Sequence, residues 1–273
     1  MPHDTRPLTV AIGGLGAIGL PVARWLDEGV HGLELTAVAS SSTTKAQALV
    51  SGFRSPPNAV ELSDLHAHAD ILVEALPPSQ FTALAEPTVL AGKTLIIVSM
   101  TQLLQNRHLV DLATENGAKI IGATGALAGL DAVRAAAKSK LGRVVMRTRK
   151  PPASLANAPF VREAGIDLAA LDAPLRLYAG KVTDAAQKFP ANVNVAVALS
   201  LAGWGPEHTD YEVWADPAID RNTHNILVEA DAGRFEISVE NVPSIENPAT
   251  GQMTPLSVMA TLERLVAPLT IGT

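Results

Sequence analysis

The chain has 273 residues and not one cysteine. That absence excludes disulfides, thiolate metal sites and every mechanism with a sulfur nucleophile. Also lacking is any apolar run near the roughly 18 residues that cross a bilayer. The opening "MPHDTRP" carries an Asp and a Pro where a secretory signal has a basic start and an apolar block, so a cytoplasmic location is expected. Charge of one sign is scarce: 21 basic against 27 acidic residues give a net charge of -6, spread along the sequence. No footprint for nucleic acid or an anionic membrane results, which leaves a small molecule as the expected ligand. No internal repeat and no low-complexity tract is present.

What is there is a core. Hydrophobic residues make up 47% of the chain, and its length exceeds what one ordinary core takes, so two domains are expected. From Leu8 to about Thr124, the apolar runs "LTVAIGG", "LELTAVAS", "ILVEAL", "TLIIVSM" and "KIIGAT" alternate with helix-like segments. Continuous apolar strands without polar alternation are buried on both faces, and the β-α rhythm predicts a parallel sheet. Gly29, Gly92 and Gly117 fall where helices should end. After Gly125, "LDAVRAAAKSK" reads as a helix and "FPANVNVAVALSLAG" as another starting near Pro190. "YEVWA", "HNILVEA" and "RFEISVE" read as consecutive antiparallel strands, the last two joined at Asp231 to Gly233. In "TPLSVMATLERLVAPL", Thr254 is the expected N-cap and Pro255 the first helical residue. The predicted class is α/β: a Rossmann-type parallel-sheet domain over 1–124 and a second α+β domain with a largely antiparallel sheet over 125–252. A C-terminal helix over 253–273 packs back on the first domain.

The string "GLGAIG" follows the first strand and opens the first helix, which is the context a dinucleotide-binding loop requires. Gly14 permits the tight turn, Gly16 lets the backbone approach a pyrophosphate, and Gly19 lets helix and strand pack closely, with Ala17 and Ile18 between them. Helix N-terminal N–H groups then hold the phosphates. Where an NAD-specific loop has an acid at the end of the second strand, this chain has "AVASSSTTK". With Ser40 and Ser41 there, nothing repels a 2′-phosphate, and Ser42, Thr43 and Lys45 are placed to hydrogen-bond one. NADP and/or NAD is the expected cofactor; the alternative is that these hydroxyls only cap the next helix.

The absent cysteine removes thioester-forming aldehyde dehydrogenases, leaving alcohol or amine oxidoreductases with a His, Lys or carboxylate as acid and base. His66, His68 and His208 lack a third ligand at plausible spacing, so no metal site is expected. His224 starts an apolar strand in phase with Ile226 and Val228, which turns its ring to the inner face. Asn192 and Asn194 are expected in the first turn of an apolar helix, where amides bind a carboxamide or carboxylate, or simply cap. Arg149, Lys150, Arg221 and Thr223 offer donors for a dicarboxylate.

Several strings together carry a family resemblance: "GLGAIG", "GATGALAGLDAV", "TRKPP", "FPANVNVAVALSLAG", "RNTHNI" and "VPSIENPATGQMTPLS". Over nearly its whole length the chain resembles the L-aspartate dehydrogenases. The resemblance implies reversible conversion of L-aspartate and NAD(P) to oxaloacetate, ammonia and NAD(P)H through iminosuccinate. It also implies His224 as the catalytic histidine, Asn192 as a cofactor contact and Ala126 as a backbone contact to the nicotinamide end. The alternatives are an enzyme acting on another amino dicarboxylate, or a dinucleotide-binding sensor without turnover. The exposed side of the second sheet makes a homodimer the expected assembly.

Overall fold

The computed structural model describes residues 6–190, 192–244 and 251–272. The "IENPAT" part of the C-terminal motif, and Ala191 of "FPANVN", lie outside the described residues. In chain order the elements are β1 (Leu8–Gly13), α1 (Gly19–Asp27), β2 (Leu33–Ala39), α2 (Thr43–Val50), β3 (Asn58–Ala59), β4 (Ile71–Glu74), α3 (Phe81–Leu90), β5 (Thr94–Ile97), α4 (Met100–Gln105), α5 (His108–Asn116) and β6 (Lys119–Gly122). There follow α6 (Leu130–Ala136), β7 (Leu141–Lys150), α7 (Pro159–Glu163), β8 (Leu175–Lys181), α8 (Val182–Lys188), α9 (Asn194–Ala202), β9 (Asp210–Ala215), β10 (Asn222–Ala230), β11 (Gly233–Asn241) and α10 (Met253–Val266). The chain divides into two units, Met1–Ala123 with Thr254–Thr270, and Thr124–Met253 with Ile271–Thr273.

In the first unit, all strand pairs are parallel, in the order β3-β2-β1-β4-β5-β6. β4 is buried along its length, as its uninterrupted apolar run predicts, with even Glu74 fully inside, whereas β6 at the edge of the sheet has no buried residue. Because β2 and β4 leave β1 in opposite directions, the chain opens a crevice at the carboxyl ends of β1 and β4, where ligands bind in such sheets. Gly29, Gly92 and Gly117 take the left-handed backbone that their positions predict.

α10 completes this unit's core. Its Val258 and Leu262 are fully buried in one apolar cluster with Val10, Ile12 and Leu26. The helix starts at Met253 rather than after a Thr254 cap, which moves Pro255 two residues in. Pro255 is tolerated there because first-turn N–H groups have no helical acceptor to lose.

In the second unit the order is β11-β10-β7-β9-β8, antiparallel except for the β7–β9 pair. β9 does not neighbour β10 as their succession in sequence suggests; β7 lies between them and takes the β10–β11 hairpin on its other edge. Alternation along β7 buries Val144, Met146, Thr148 and Lys150 and leaves Arg143, Val145, Arg147 and Arg149 on the outer face. His224, Ile226 and Val228 of β10, and Tyr211, Val213 and Ala215 of β9, join the buried face. α9 begins at Asn194, not near Pro190, because the preceding residues close a turn in which the Asn192 N–H donates to the Phe189 carbonyl at 2.8 Å. The helix is apolar nearly all round and accordingly buried.

Candidate functional site

Two constellations stand out, one in each unit. In the first, the residues of "GLGAIG" form the turn from β1 into α1. At Gly14, with φ of +96°, an added Cβ would lie 2.2 Å from the Ala75 carbonyl oxygen at the end of β4. At Gly19 an added Cβ would lie 1.8 Å from the Gly14 carbonyl oxygen, so the loop closes on itself only without a side chain. Gly16 is different: a Cβ there meets nothing within 4 Å, and the residue is exposed. The fold gives no reason for glycine at 16, whereas a pyrophosphate lying on the loop does. Ala17 and Ile18 lead into α1, partly exposed.

Glu74 supports the same crevice. Its carboxylate accepts hydrogen bonds from the Leu76 N–H (2.9 Å), the Val98 N–H (3.3 Å), the Ser99 N–H (3.1 Å) and the Ser99 hydroxyl (2.9 Å). Burial pushes its pKa up and these donors pull against it. An acid within "ILVEAL" was the signal that sequence reasoning passed over: a charge in a strand buried on both faces needs donors, and these come from the loops after β4 and β5. Ser40 and Ser41 follow β2 directly, half-buried and exposed respectively, with no acid beside them at the strand end. Ser42 caps α2, its Oγ accepting from the Lys45 N–H at 3.2 Å, so of the neighbouring hydroxyls this one has a structural task.

The second constellation is on the buried face of the other sheet. His224 is 3% exposed, and its Nδ1 lies 3.0 Å from the Thr148 hydroxyl, directly across the β7–β10 register. Lys150, 6% exposed, donates from Nζ to Asn192 Oδ1 at 2.9 Å and has no carboxylate partner among the described residues. An uncompensated buried ammonium is expensive. Burial pushes Lys150 down to about 8, and burial first, then the Lys150 charge, pushes His224 down to about 3. The imidazole is therefore neutral across the physiological range, facing a cation in a medium of low polarity.

The other residues singled out by sequence are placed as follows. Arg149 and Thr223 pair across β7 and β10 but on the outer face, opposite His224. There Arg149 bonds Asp216 at 3.0 Å and stacks over Trp214. Arg221 pairs with its neighbour Asp220 at 3.1 Å. Asn194 is the first residue of α9, and Asn192 lies outside that helix, in the turn before it. The Ala126 carbonyl accepts from Asn241 Nδ2 at 3.0 Å. Lys150, Asn192 and His224 thus come together, while Arg149, Thr223 and Arg221 do not join them. Thr148 and Asn241 were missed, because their partners come from strands far away in sequence.

A family model described as the C-terminal domain of aspartate dehydrogenase matches residues 131–265, and one described as the NAD-binding domain of homoserine dehydrogenase matches residues 14–122. An L-aspartate dehydrogenase of Bradyrhizobium diazoefficiens is 51% identical, over 97% of this chain and 94% of that protein. L-aspartate dehydrogenase 3 of Bordetella bronchiseptica is 45% identical, over 97% of this chain and 98% of that protein. The crystal structure of aspartate dehydrogenase from Thermotoga maritima shares the fold with a TM-score of 0.73 at 22% identity, covering 97% of this chain and 99% of that one. With identity at this level along almost its entire length, and with both domain models matched in the expected order, the chain belongs to the L-aspartate dehydrogenase family.

Proposed function

We propose that this chain catalyses the reversible NAD(P)-dependent deamination of L-aspartate to oxaloacetate and ammonia through iminosuccinate, with His224 as acid and base. The observation that carries the reading is the neutral His224 imidazole beside an ammonium, Lys150, that has no counter-ion among the described residues. A carboxylate is the partner such a lysine lacks. Asn192, bonded to Nζ, aims the ammonium.

The glycine loop fits a dinucleotide: Gly14, Gly16, Ala17, Ile18 and Gly19 would hold its pyrophosphate, with Ala126 and Asn192 toward its nicotinamide end. Ser40 and Ser41 leave room for NADP as well as NAD. When bound, the cofactor supplies hydride transfer at the substrate Cα. The chain's own residues handle the proton. His224 Nε2, which makes no hydrogen bond among the described residues, takes a proton from the water that adds to the imine carbon. It returns that proton to the nitrogen, and as the carbon–nitrogen bond breaks the hydroxyl proton of the adduct passes to the departing nitrogen while the carbonyl of oxaloacetate forms, so the imidazole ends neutral. Burial is the larger cause that holds His224 down, and a carboxylate beside Lys150 raises the affinity of His224 for the proton during this sequence by cancelling the smaller one, the Lys150 charge.

The test is absorbance at 340 nm with oxaloacetate, ammonium and NADPH or NADH, followed by a screen of other amino dicarboxylates. His224→Ala is expected to lose on the order of 10²- to 10⁴-fold in turnover with little change in cofactor affinity. Near-normal turnover in that variant removes His224 from the mechanism, and cofactor binding without turnover on any imino acid favours a sensor.

A further inference from the structure

Behind His224 lies a group with no stated task. Tyr211 stands on β9, on the same buried face, and its hydroxyl is buried with no hydrogen bond among the described residues. Its near neighbour is Thr148, which lies between it and His224 and slightly offsets the burial that pushes the phenol up. The contact is close without being a completed bond. Phenylalanine would fill the same space without an orphaned polar atom, and such atoms in folded proteins call for an explanation.

We propose that Thr148, backed by Tyr211, is a positioning residue that accepts from His224 Nδ1–H and so holds the ring in the tautomer that leaves Nε2 open to exchange the proton. The inference rests on His224 being the acid and base of the deamination. A hydroxyl both donates and accepts, and so does a phenol. For Nε2 to take a proton, the neutral imidazole must carry its own proton on Nδ1, where it is donated to Thr148 Oγ1, while the Thr148 hydroxyl proton is directed toward the Tyr211 oxygen. In the imidazolium the Nδ1–H still donates to Thr148 Oγ1, and only Nε2 has gained a proton. No proton moves within this chain of three groups while Nε2 gains one and gives it back. A carboxylate behind the ring would stabilise the imidazolium by its charge, whereas a hydroxyl fixes the tautomer without adding charge. Lys150 is a charged group facing the ring, and it opposes the imidazolium. A neutral partner on the far side leaves that balance to the substrate.

The experiment compares Thr148→Val, Thr148→Ser, Tyr211→Phe and His224→Ala in the full chain, reading kcat, KM, cofactor affinity, melting temperature and the pH profile in both directions. Thr148→Val is expected to lower kcat on the order of 10- to 100-fold, the range in which partners of a functional imidazole act. Cofactor affinity should stay unchanged, and the His224 limb of the profile should shift. Thr148→Ser should return most of the activity. Tyr211→Phe should lower kcat roughly 3- to 10-fold, a loss on the order of one imperfect hydrogen bond, at an unchanged or higher melting temperature, which a structural role for the phenol does not produce. Wild-type kcat and pH profile in Thr148→Val, alongside an inactive His224→Ala, overturn the positioning role and leave the acid–base reading intact. An active His224→Ala overturns both. If Thr148→Val does not fold, Tyr211→Phe decides, and wild-type behaviour there refutes the positioning role of the pair.

Discussion

Lys150→Met should make the ligand-free protein more stable and a poorer enzyme. In the fold, the Lys150 ammonium is held to about 8 against an ordinary 10.5, entirely through burial. That gap corresponds to a penalty of about 3 kcal/mol for keeping the charge in place below pH 8. Methionine matches the volume of the side chain and removes the charge. Its loss leaves Asn192 Oδ1 without its donor, but Asn192 is partly exposed, so water replaces the bond. The net gain expected at pH 7 is about 1–3 kcal/mol, or a rise in melting temperature of roughly 3–8 °C for a chain of this size. The sign follows from the folded pKa lying below the unfolded one. The wild-type penalty is complete below pH 8, shrinks between pH 8 and 10.5 as the folded protein alone sheds its proton, and is absent above. The stability advantage of the variant should therefore fade toward pH 10.5. Urea unfolding of both proteins at pH 7 and pH 10, without ligands, measures it. In parallel, KM for oxaloacetate should rise at least about tenfold with cofactor affinity unchanged, since one charge-assisted contact is worth about 1.5–3 kcal/mol. A variant that is less stable at pH 7, with unaltered KM, would make Lys150 a structural residue and refute the argument.

Gly16→Ala should fold with an unchanged melting temperature, because its Cβ enters open space, yet bind NAD(P)H at least about tenfold more weakly; full affinity would separate the loop from the cofactor. For His224, the folded pKa of about 3 lies below the ordinary 6.5, so its contribution to stability is present above pH 6.5 and is lost as pH falls toward 3. His224→Gln should remove about 2 kcal/mol of the difference in stability between pH 6.5 and pH 5, read by denaturant unfolding; an unchanged acid limb means that the ring is already solvated. Ser40→Asp puts a carboxylate directly after β2 and should shift selectivity away from NADP by roughly tenfold or more, checked as the ratio of kcat/KM for the two cofactors; an unchanged ratio would mean that the 2′-phosphate lies elsewhere.

How far the sequence led is explained by which interactions are local. The phase of His224 with Ile226 and Val228 requires only the period of two along a strand, and the ring is buried where that phase puts it. The glycine loop needs only its own strand and helix. Arg149 and Lys150 looked equivalent as cations in "TRKPP", yet adjacent strand residues point to opposite faces, so just one of them can share a face with His224. Which one follows from the β7–β10 register, with Thr148 against His224, a pairing between residues 76 apart that no local pattern specifies. The same holds for Asn192: its place in "FPANVN" suggests a helical first turn, and the observed turn is one whose side chain is engaged by Lys150 from β7. Glu74 is the converse case, since a lone acid in "ILVEAL" was visible from the start, while the four donors that make it tolerable come from loops only the folded sheet brings together. The residues left undetermined by sequence are thus those whose partner is supplied by another strand or loop. In the proposed active site, built across a sheet, these are the residues expected to set protonation.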